Sequence, residues 1–155
     1  PRARELRAER ANCRRLMLPD PLVATNPALH HVAFVVADLD AALEGQRRIG
    51  FEISERFTLE EQGVEVATLP AGASWIELIR PLDPEGPIAR FLAKRGEGFH
   101  HVAYAVPDLA AALRSLRAAG VRLIDESPRS GAHGWQIAFV HPEACNGVLT
   151  ELVQE

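Results

Sequence analysis

The sequence predicts an α+β domain: two tandem β-α-β-β-β modules whose strands form one curled, cup-like, eight-stranded mixed sheet. Three observations predict this class. First, the stretch HHVAFVVADLDAAL at 30–43 returns as HHVAYAVPDLAAAL at 100–113, with ten of the fourteen positions identical. Second, each copy has the composition of a strand that leads into an Asp-capped helix. Third, three further strand-like runs follow each copy, which indicates one duplicated unit and not a solenoid.

The first module is predicted over residues 28–82. Its first strand is rich in β-branched and aromatic residues over 29–36. Asp38 is a favourable N-cap for a helix that runs to about Arg48, and Gly50 is placed to end it. Three more strands follow in the stretches FEISERFTLEE, VEVATLP and SWIELIRPL.

The second module is predicted over residues 98–155, after a connector at 83–97 in which Pro87 starts a short helix. Its first strand covers 99–106, and its helix begins after Asp108 and ends at Gly120. Its remaining strands are predicted in VRLIDES, WQIAFVHP and GVLTELV. Both modules belong to one domain, 28–155, and the Arg-rich stretch 1–27 is predicted to be a surface extension and linker without a direct role.

Composition excludes several classes of function. The chain has 155 residues and a formal net charge of −4, and its pI is about 5.9. This charge does not favour a nucleic-acid partner, and no apolar run is long enough to cross a membrane. Cys13 and Cys145 form no C-x-x-C pair. We therefore expect a cytoplasmic protein with incidental thiols.

The alternation of side chains along a strand separates the two histidines of each pair. In both copies the small residues share a face with the second histidine, His31 or His101, and the large residues share a face with His30 or His100. We expect the large face to pack under the helix of its module. His31 and His101 are therefore predicted to face a cavity, whereas His30 and His100 are predicted either to be structural or to support the site residues from outside the site.

Each module ends on a strand with a glutamate between apolar neighbours, Glu77 in WIELI and Glu151 in LTELV. A buried carboxylate is costly unless it is paired or bound to a metal. A lone strand histidine is usually a core residue and a lone strand glutamate usually faces solvent, but here both are repeated with one symmetry. His31, Glu77, His101 and Glu151 are therefore predicted to bind one divalent ion of Co, Zn, Ni, Mn or Fe.

These residues resemble the vicinal oxygen chelate superfamily, and within it the methylmalonyl-CoA epimerase family. The segments that carry the closer resemblance are EEQGVEVATLP, IELIRPLDPEGPIARFLAKRGEGFHHVAYAV, GVRLIDESPRSGAHGWQIAFVHP and NGVLTELV. The resemblance implies the four metal ligands named above, an acyl-CoA substrate and a homodimer. Some family members have glutamine where Glu77 stands, so either ligand type is accepted there.

The resemblance also implies the reaction: epimerisation of methylmalonyl-CoA by a 1,1-proton transfer at the thioester α-carbon, through a metal-stabilised enolate. Two glutamates flank that carbon as acid and base. Glu151 is similar to the one that is both ligand and catalyst, and its apolar neighbours are expected to raise its pKa. Glu65 is predicted to be the second. A one-residue shift in register would put Val66 at that position and turn Glu65 to the other face.

Cations suitable for CoA phosphates are Arg90, Lys94, Arg95 and Arg129, and nothing in the sequence selects among them. Arg129 and His133, which lies in the turn-like GAHG, are predicted to contact the substrate. Two alternatives stay open. The chain could be a glyoxalase I-like lactoylglutathione lyase, since that enzyme shares the His and Glu pattern, or a non-catalytic small-molecule-binding member of the superfamily.

Overall fold

The structure is a computed structural model that describes residues 27–155. The predicted extension at 1–27 lies outside the described residues, except for Pro27, and the domain boundaries stay a prediction. The helices and strands in chain order are β1 (Ala28–Val35), α1 (Leu39–Arg48), β2 (Glu55–Leu59), β3 (Val64–Ala71), β4 (Ser74–Pro81), α2 (Pro87–Arg95), β5 (Gly98–Ala105), α3 (Leu109–Ala118), β6 (Arg129–Ser130), β7 (Gln136–Val140) and β8 (Leu149–Gln154). No helix among these residues is long and apolar enough to cross a bilayer.

The helices α1 and α3 begin where the repeated aspartates predict. The backbone N–H of Ala41 donates to Asp38 Oδ1 at 3.0 Å, and the N–H of Ala111 donates to Asp108 Oδ1 at 2.8 Å. A carboxylate at this position satisfies an N–H group that has no partner inside the helix. The two caps fix the angle at which each first strand passes into its helix.

All eight strands form a single mixed sheet in the order β2-β3-β4-β1-β5-β8-β7-β6. The two first strands, β1 and β5, lie antiparallel at its centre. Each pairs on its other side, in parallel, with the last strand of its own module. This arrangement places the four strands that carry the predicted metal ligands next to one another, as the fold class predicts.

The two faces of the curled sheet differ in what they pack against. On the outer face, α1 and α3 cover two apolar clusters that include Leu39 and Leu109, both almost fully buried. On the inner face, Ala33 and Ala103 are fully buried beside the branched residues of neighbouring strands. These alanines leave the room on the inner face that the small residues beside each second histidine predict.

The strand predicted at 121–127 is wrong. In that stretch the structure has an isolated bridge between Leu123 and Val140, and the regular sixth strand is the two-residue β6. The backbone N–H groups of Ile124 and Asp125 both donate to the carbonyl of Phe139, at 2.9 and 3.1 Å. The Asp125 side chain accepts from the N–H of Phe139 at 2.8 Å. A side chain thus takes the place of a ladder partner, and regular pairing stops.

Candidate active site

The register between β1 and β5 shifts at the first histidine of each pair. His30 is the extra residue between two paired positions of β1, and His100 is the extra residue in β5. A bulge of this kind re-aims side chains and interrupts the alternation along a strand. His30 and His100 therefore do not join the clusters that pack under α1 and α3, which corrects the prediction. Their Nδ1 atoms each lie 2.8 Å from Nδ1 of the following histidine.

The second histidines meet on the inner face of the sheet together with Glu151. His31 Nε2 lies 3.0 Å from His101 Nε2 and 3.1 Å from Glu151 Oε2. His101 Nε2 lies 3.3 Å from the same oxygen. The three side chains are buried, and their ligand atoms all lie within 4.8 Å of one another.

Glu77 adjoins this group from the first module. Its Oε2 lies 3.5 Å from His31 Nε2, and its side chain is 14% exposed. In the sheet Glu77 is opposite Ala33, and Glu151 is opposite Ala103, so the internal repeat relates the two glutamates. The structure thus brings together the four residues that the sequence predicts as ligands, three in a compact group and the fourth beside it.

The donor chemistry of this group fits a divalent transition ion. Two imidazole nitrogens and a carboxylate oxygen point to one place, and the other ring nitrogen of each histidine already has a partner. Such N and O donors suit Zn, Co, Ni, Mn or Fe. The buried group of His31, His101 and Glu151, called the metal group below, can therefore bind a metal, and Glu77 lies close enough to join it.

The two glutamates differ in acidity. Burial favours the neutral form of Glu151, but hydrogen bonds from His101 and His31 outweigh it and lower the pKa of Glu151 to about 2. The predicted rise in the pKa of Glu151 is therefore wrong, because the sequence pattern shows its apolar neighbours and not its two imidazole partners. Burial dominates at Glu77 and raises its pKa.

The histidines follow the same balance. Burial would lower the pKa of His31, but the hydrogen bond with Glu151 and the charges of Glu77 and Glu151 raise it. Burial, followed by the charge of His101, lowers the pKa of His100 to about 4. Burial likewise dominates at His30 and lowers its pKa. The first histidines of the two pairs are therefore neutral at physiological pH.

The site opens into a cavity of about 590 Å³ on the inner face. Apolar side chains from both modules form its walls, among them Val66, Ile79, Trp135 and Phe139. Its acidic lining outside the metal group comes from a short 3₁₀ turn and from the loop after β4. These acidic residues are Glu60, Glu61 and Asp83.

Glu65 is not brought to this cavity. Its Oε1 accepts from Arg56 Nε at 2.7 Å, and its Oε2 accepts from Arg80 Nη2 at 2.7 Å. The hydrogen bond from Arg56, followed by that from Arg80, lowers the pKa of Glu65. Val64 and Val66 line the cavity on either side of it, so the structure has the register in which Val66 faces inward and Glu65 faces away.

Arg129 and His133 take different places. Arg129 lines the cavity, pairs with Asp125 through Nε at 3.1 Å and lies over the Phe139 ring at 5.3 Å. His133 has a positive φ of 56°, and its Nε2 lies 3.3 Å from Glu55 on β2. It lines a smaller neighbouring cavity of about 230 Å³, which it shares with Glu77. The structure thus places Arg129, and not His133, on the main cavity.

Two residues touch the metal group from outside. His30 contacts His31, and Glu155 Oε1 lies 3.2 Å from His30 Nε2. The sequence left His30 with either a structural role or the support of a site residue, and the structure has it in contact with His31. Sequence reasoning missed Glu155. Nothing in the sequence predicts the contact with Glu155, because it joins opposite ends of the domain.

The model of the Glyoxalase/Bleomycin resistance protein/Dioxygenase superfamily matches residues 30–139, and the chain belongs to this superfamily. Within it, the chain is similar to methylmalonyl-CoA epimerases. It is 40% identical over 128 residues to the mitochondrial methylmalonyl-CoA epimerase of Homo sapiens, across 81% of this chain and 73% of the human protein.

Two further relatives extend this similarity. The ethylmalonyl-CoA/methylmalonyl-CoA epimerase of Cereibacter sphaeroides is 40% identical over 129 residues, across 81% of this chain and 96% of that protein. A solved methylmalonyl-CoA epimerase in complex with methylmalonyl-CoA and NH4+ is 39% identical and superposes with a TM-score of 0.78 over 83% of this chain and 94% of that chain. The similarity therefore extends over most of both chains.

Proposed function

We propose that this protein is an isomerase that epimerises methylmalonyl-CoA at the carbon between the thioester and the carboxylate. The observation that carries the proposal is the buried Glu151 carboxylate, held by His31 and His101 in the wall of a large cavity. The similarity to methylmalonyl-CoA epimerases supports the choice of substrate. A buried carboxylate next to a metal group suits proton transfer at a carbon acid.

The proposed reaction exchanges the α-proton of the substrate for a proton of the protein and breaks no carbon–carbon or carbon–sulfur bond. A carboxylate on one side of the substrate removes the α-proton, and the electron pair of the C–H bond passes into the thioester carbonyl to give an enolate. A carboxylic acid on the other side then returns a proton to the α-carbon with the opposite configuration. The two carboxyl groups exchange roles in the reverse direction.

We assign Glu151 to one side and Glu77 to the other, and Glu60, which also lines the cavity, is the alternative to Glu77. A proton carrier has to reach an α-carbon held beside the metal group, and Glu65 faces away from the cavity between two arginines. Glu77 lies 3.5 Å from His31 and is related to Glu151 by the internal repeat.

The metal group is proposed to consist of His31, His101 and Glu151, with Glu77 as a fourth ligand when it does not carry a proton. A bound divalent ion supplies Lewis-acid stabilisation of the negative charge that develops on the substrate oxygens. We propose cobalt, zinc, nickel, manganese or iron for this ion. Apolar walls such as Val66 and Phe139 exclude water and strengthen this electrostatic effect.

The charge on the cavity lining suggests how the substrate enters. Glu60, Glu61 and Asp83 repel the CoA phosphates from one part of the lining, whereas Arg129 supplies a positive charge on another. We propose that the pantetheine and phosphates leave the cavity on the Arg129 side. His133 has a more distant role, because it contacts Glu55 and lines the neighbouring cavity.

The test is an assay of the metal-loaded protein with three substrates under matched conditions. We expect conversion of (S)- to (R)-methylmalonyl-CoA, measured through a stereospecific coupling enzyme, and no lactoylglutathione from methylglyoxal and glutathione. Ethylmalonyl-CoA is included because the Cereibacter sphaeroides relative is named for both acyl groups. Turnover of the hemithioacetal alone would instead identify a lactoylglutathione lyase, and binding without turnover would identify a non-catalytic member.

Two finer points belong to the same proposal. The family resemblance supports a homodimer, which sedimentation of the purified protein would test. The lack of a C-x-x-C pair or a disulfide framework in the sequence supports a cytoplasmic location, which fractionation of the source cell would test.

A further inference from the structure

His30 joins the proposed metal group to Glu155, the residue that follows β8. It is buried, and it occupies the bulge of β1 beside the ligand His31. Its Nδ1 lies 2.8 Å from His31 Nδ1, and its Nε2 lies 3.2 Å from Glu155 Oε1. Its ring packs against that of Trp135 in a T-shaped arrangement with a centroid distance of 4.8 Å. Both ring nitrogens therefore have a polar partner, and the ring is held by its packing.

The chemistry of a metal-bound imidazole determines where the protons lie in the series of contacts from His31 through His30 to Glu155. If His31 gives the lone pair of Nε2 to an ion, its proton is on Nδ1. His31 Nδ1 then donates, so His30 Nδ1 has to accept. Because His30 Nδ1 accepts and carries no proton, the ring proton of His30 is on Nε2, where it donates to the Glu155 carboxylate. This protonation pattern satisfies both hydrogen bonds, the one between His31 and His30 and the one between His30 and Glu155.

We propose that His30 is a positioning residue for the metal site. With Glu155 behind it, His30 holds His31 in the Nδ1–H form and fixes the orientation of its ring, so that the Nε2 lone pair points into the site. The inference rests on the proposed metal group but not on the identity of the substrate. Outer partners of metal-bound histidines commonly work in this way, and their loss weakens metal binding by about 10–100-fold.

The second module has only half of this arrangement. His100 Nδ1 lies 2.8 Å from His101 Nδ1, which repeats the first contact. Four residues after Glu77, however, stands Pro81, where Glu155 stands four residues after Glu151. Proline offers no carboxylate, and the His100 ring instead packs against Phe91 and lines the main cavity. Within residues 27–155, the histidine–carboxylate support therefore occurs at His31 and not at His101.

The test is metal affinity, measured by titration of the chelator-treated full-length protein with Co²⁺ against a competing chelator. His30→Leu fills the space of the ring without an acceptor, and we expect it to weaken Co²⁺ binding about 10–100-fold. His30→Asn keeps an acceptor oxygen near the position of Nδ1, and we expect it to recover most of this loss. Equal weakening by both variants would contradict a role for the acceptor.

Glu155 provides the second arm, since its side chain is 64% exposed and its substitution does not threaten the fold. We expect Glu155→Ala to weaken Co²⁺ binding by several-fold, less than His30→Leu because water competes for the same N–H. Adding Glu155→Ala to His30→Leu should change nothing further. The matched control is Glu143→Gln, an exposed carboxylate paired with Arg122, which should leave Co²⁺ affinity unchanged.

The positions of the ring protons of His31 and His30 can be measured by spectroscopy. In the Zn²⁺-loaded protein, ¹⁵N NMR of the imidazoles should show His31 protonated at Nδ1 and His30 protonated at Nε2. The reverse pattern at His30, or wild-type affinity in both His30→Leu and Glu155→Ala, would overturn the proposal. A wild-type protein that binds Co²⁺ in this way but does not epimerise methylmalonyl-CoA would refute the proposed function and leave this inference intact.

Discussion

The Nε2 atoms of His31 and His101 lie 3.0 Å apart although 70 residues separate them in the chain. The contact exists because β1 and β5 are antiparallel neighbours in which Ala33 pairs with His101 and His31 pairs with Ala103. The internal repeat thus supplies one imidazole from each module to one place. Two nitrogen lone pairs cannot face each other at this distance without a proton or a cation between them. The close approach of the two imidazoles therefore requires that the site holds either a proton or a cation.

Replacement of Glu151 should be the most damaging single change to activity. Glutamine has the same shape but cannot accept a proton, so we expect Glu151→Gln to lower the epimerisation rate by about 10²–10⁴-fold. The rate is measured with metal at saturating concentration, so that weaker metal binding does not account for the loss. Activity near that of the wild type would show that Glu151 does not transfer the proton.

Glu77→Gln separates metal binding from proton transfer. The glutamine oxygen can still act as a ligand, so we expect Co²⁺ affinity within about 10-fold of the wild type. If Glu77 carries the second proton, the epimerisation rate should still fall by at least about 10²-fold. An unchanged rate in this variant would show that another group carries the proton on that side.

Glu65→Gln should affect stability and not catalysis. Arg56 and Arg80 lower the pKa of Glu65 below its ordinary value of 4.5 in the folded protein, so the unfolded chain binds a proton there more readily. The ion pairs therefore stabilise the fold above pH 4.5, and this stabilisation is lost as the pH falls through the lowered pKa.

We accordingly expect urea denaturation to show a lower free energy of unfolding for Glu65→Gln than for the wild type at pH 7. The difference should shrink in acid. The epimerisation rate should stay within about 2-fold of the wild type, because the side chain faces away from the cavity. A large loss of epimerisation rate with an unchanged free energy of unfolding would show that Glu65 takes part in catalysis.

The loop that leads into β3 depends on a glycine. Gly63 has a φ of +62°, and an added Cβ would lie 2.6 Å from Asp83 Cβ. We expect Gly63→Ala to destabilise the fold by about 1–3 kcal/mol. The control is Gly45→Ala in α1, where nothing lies within 4 Å of an added Cβ. That variant should be more stable than the wild type by about 0.5–1 kcal/mol, and equal effects of the two substitutions would contradict this account.

The sequence could predict the parts of the fold that the repeat encodes. Ten identical positions in each copy reveal the strand, the aspartate cap and the second histidine. The central pairing of β1 with β5 then follows from the symmetry of two equivalent modules. The predicted ligands His31, His101 and Glu151 come together for the same reason, because each lies on a strand in or next to that pair.

The wrong predictions concern places where a local interaction breaks a regular pattern. Strict alternation predicts the orientation of His30 and His100, but the two bulges interrupt this alternation. The strand at 121–127 has suitable residues, but the Asp125 side chain takes a ladder position. At Glu65, alternation alone leaves two registers open, and the pairing of Glu65 with Arg80 in β3 and β4 selects the one that faces away from the cavity.

Proton exchange at the α-carbon tests the central claim most directly. The metal-loaded protein is incubated with methylmalonyl-CoA in D₂O, and loss of the α-proton signal is followed by ¹H NMR, with a chelator-treated sample alongside. We expect rapid replacement of the proton by deuterium in the loaded protein and at least about 10²-fold slower exchange after chelation, restored by added Co²⁺. Exchange no faster than in buffer, or equally fast in the presence of the chelator, would contradict the proposed metal-dependent epimerisation.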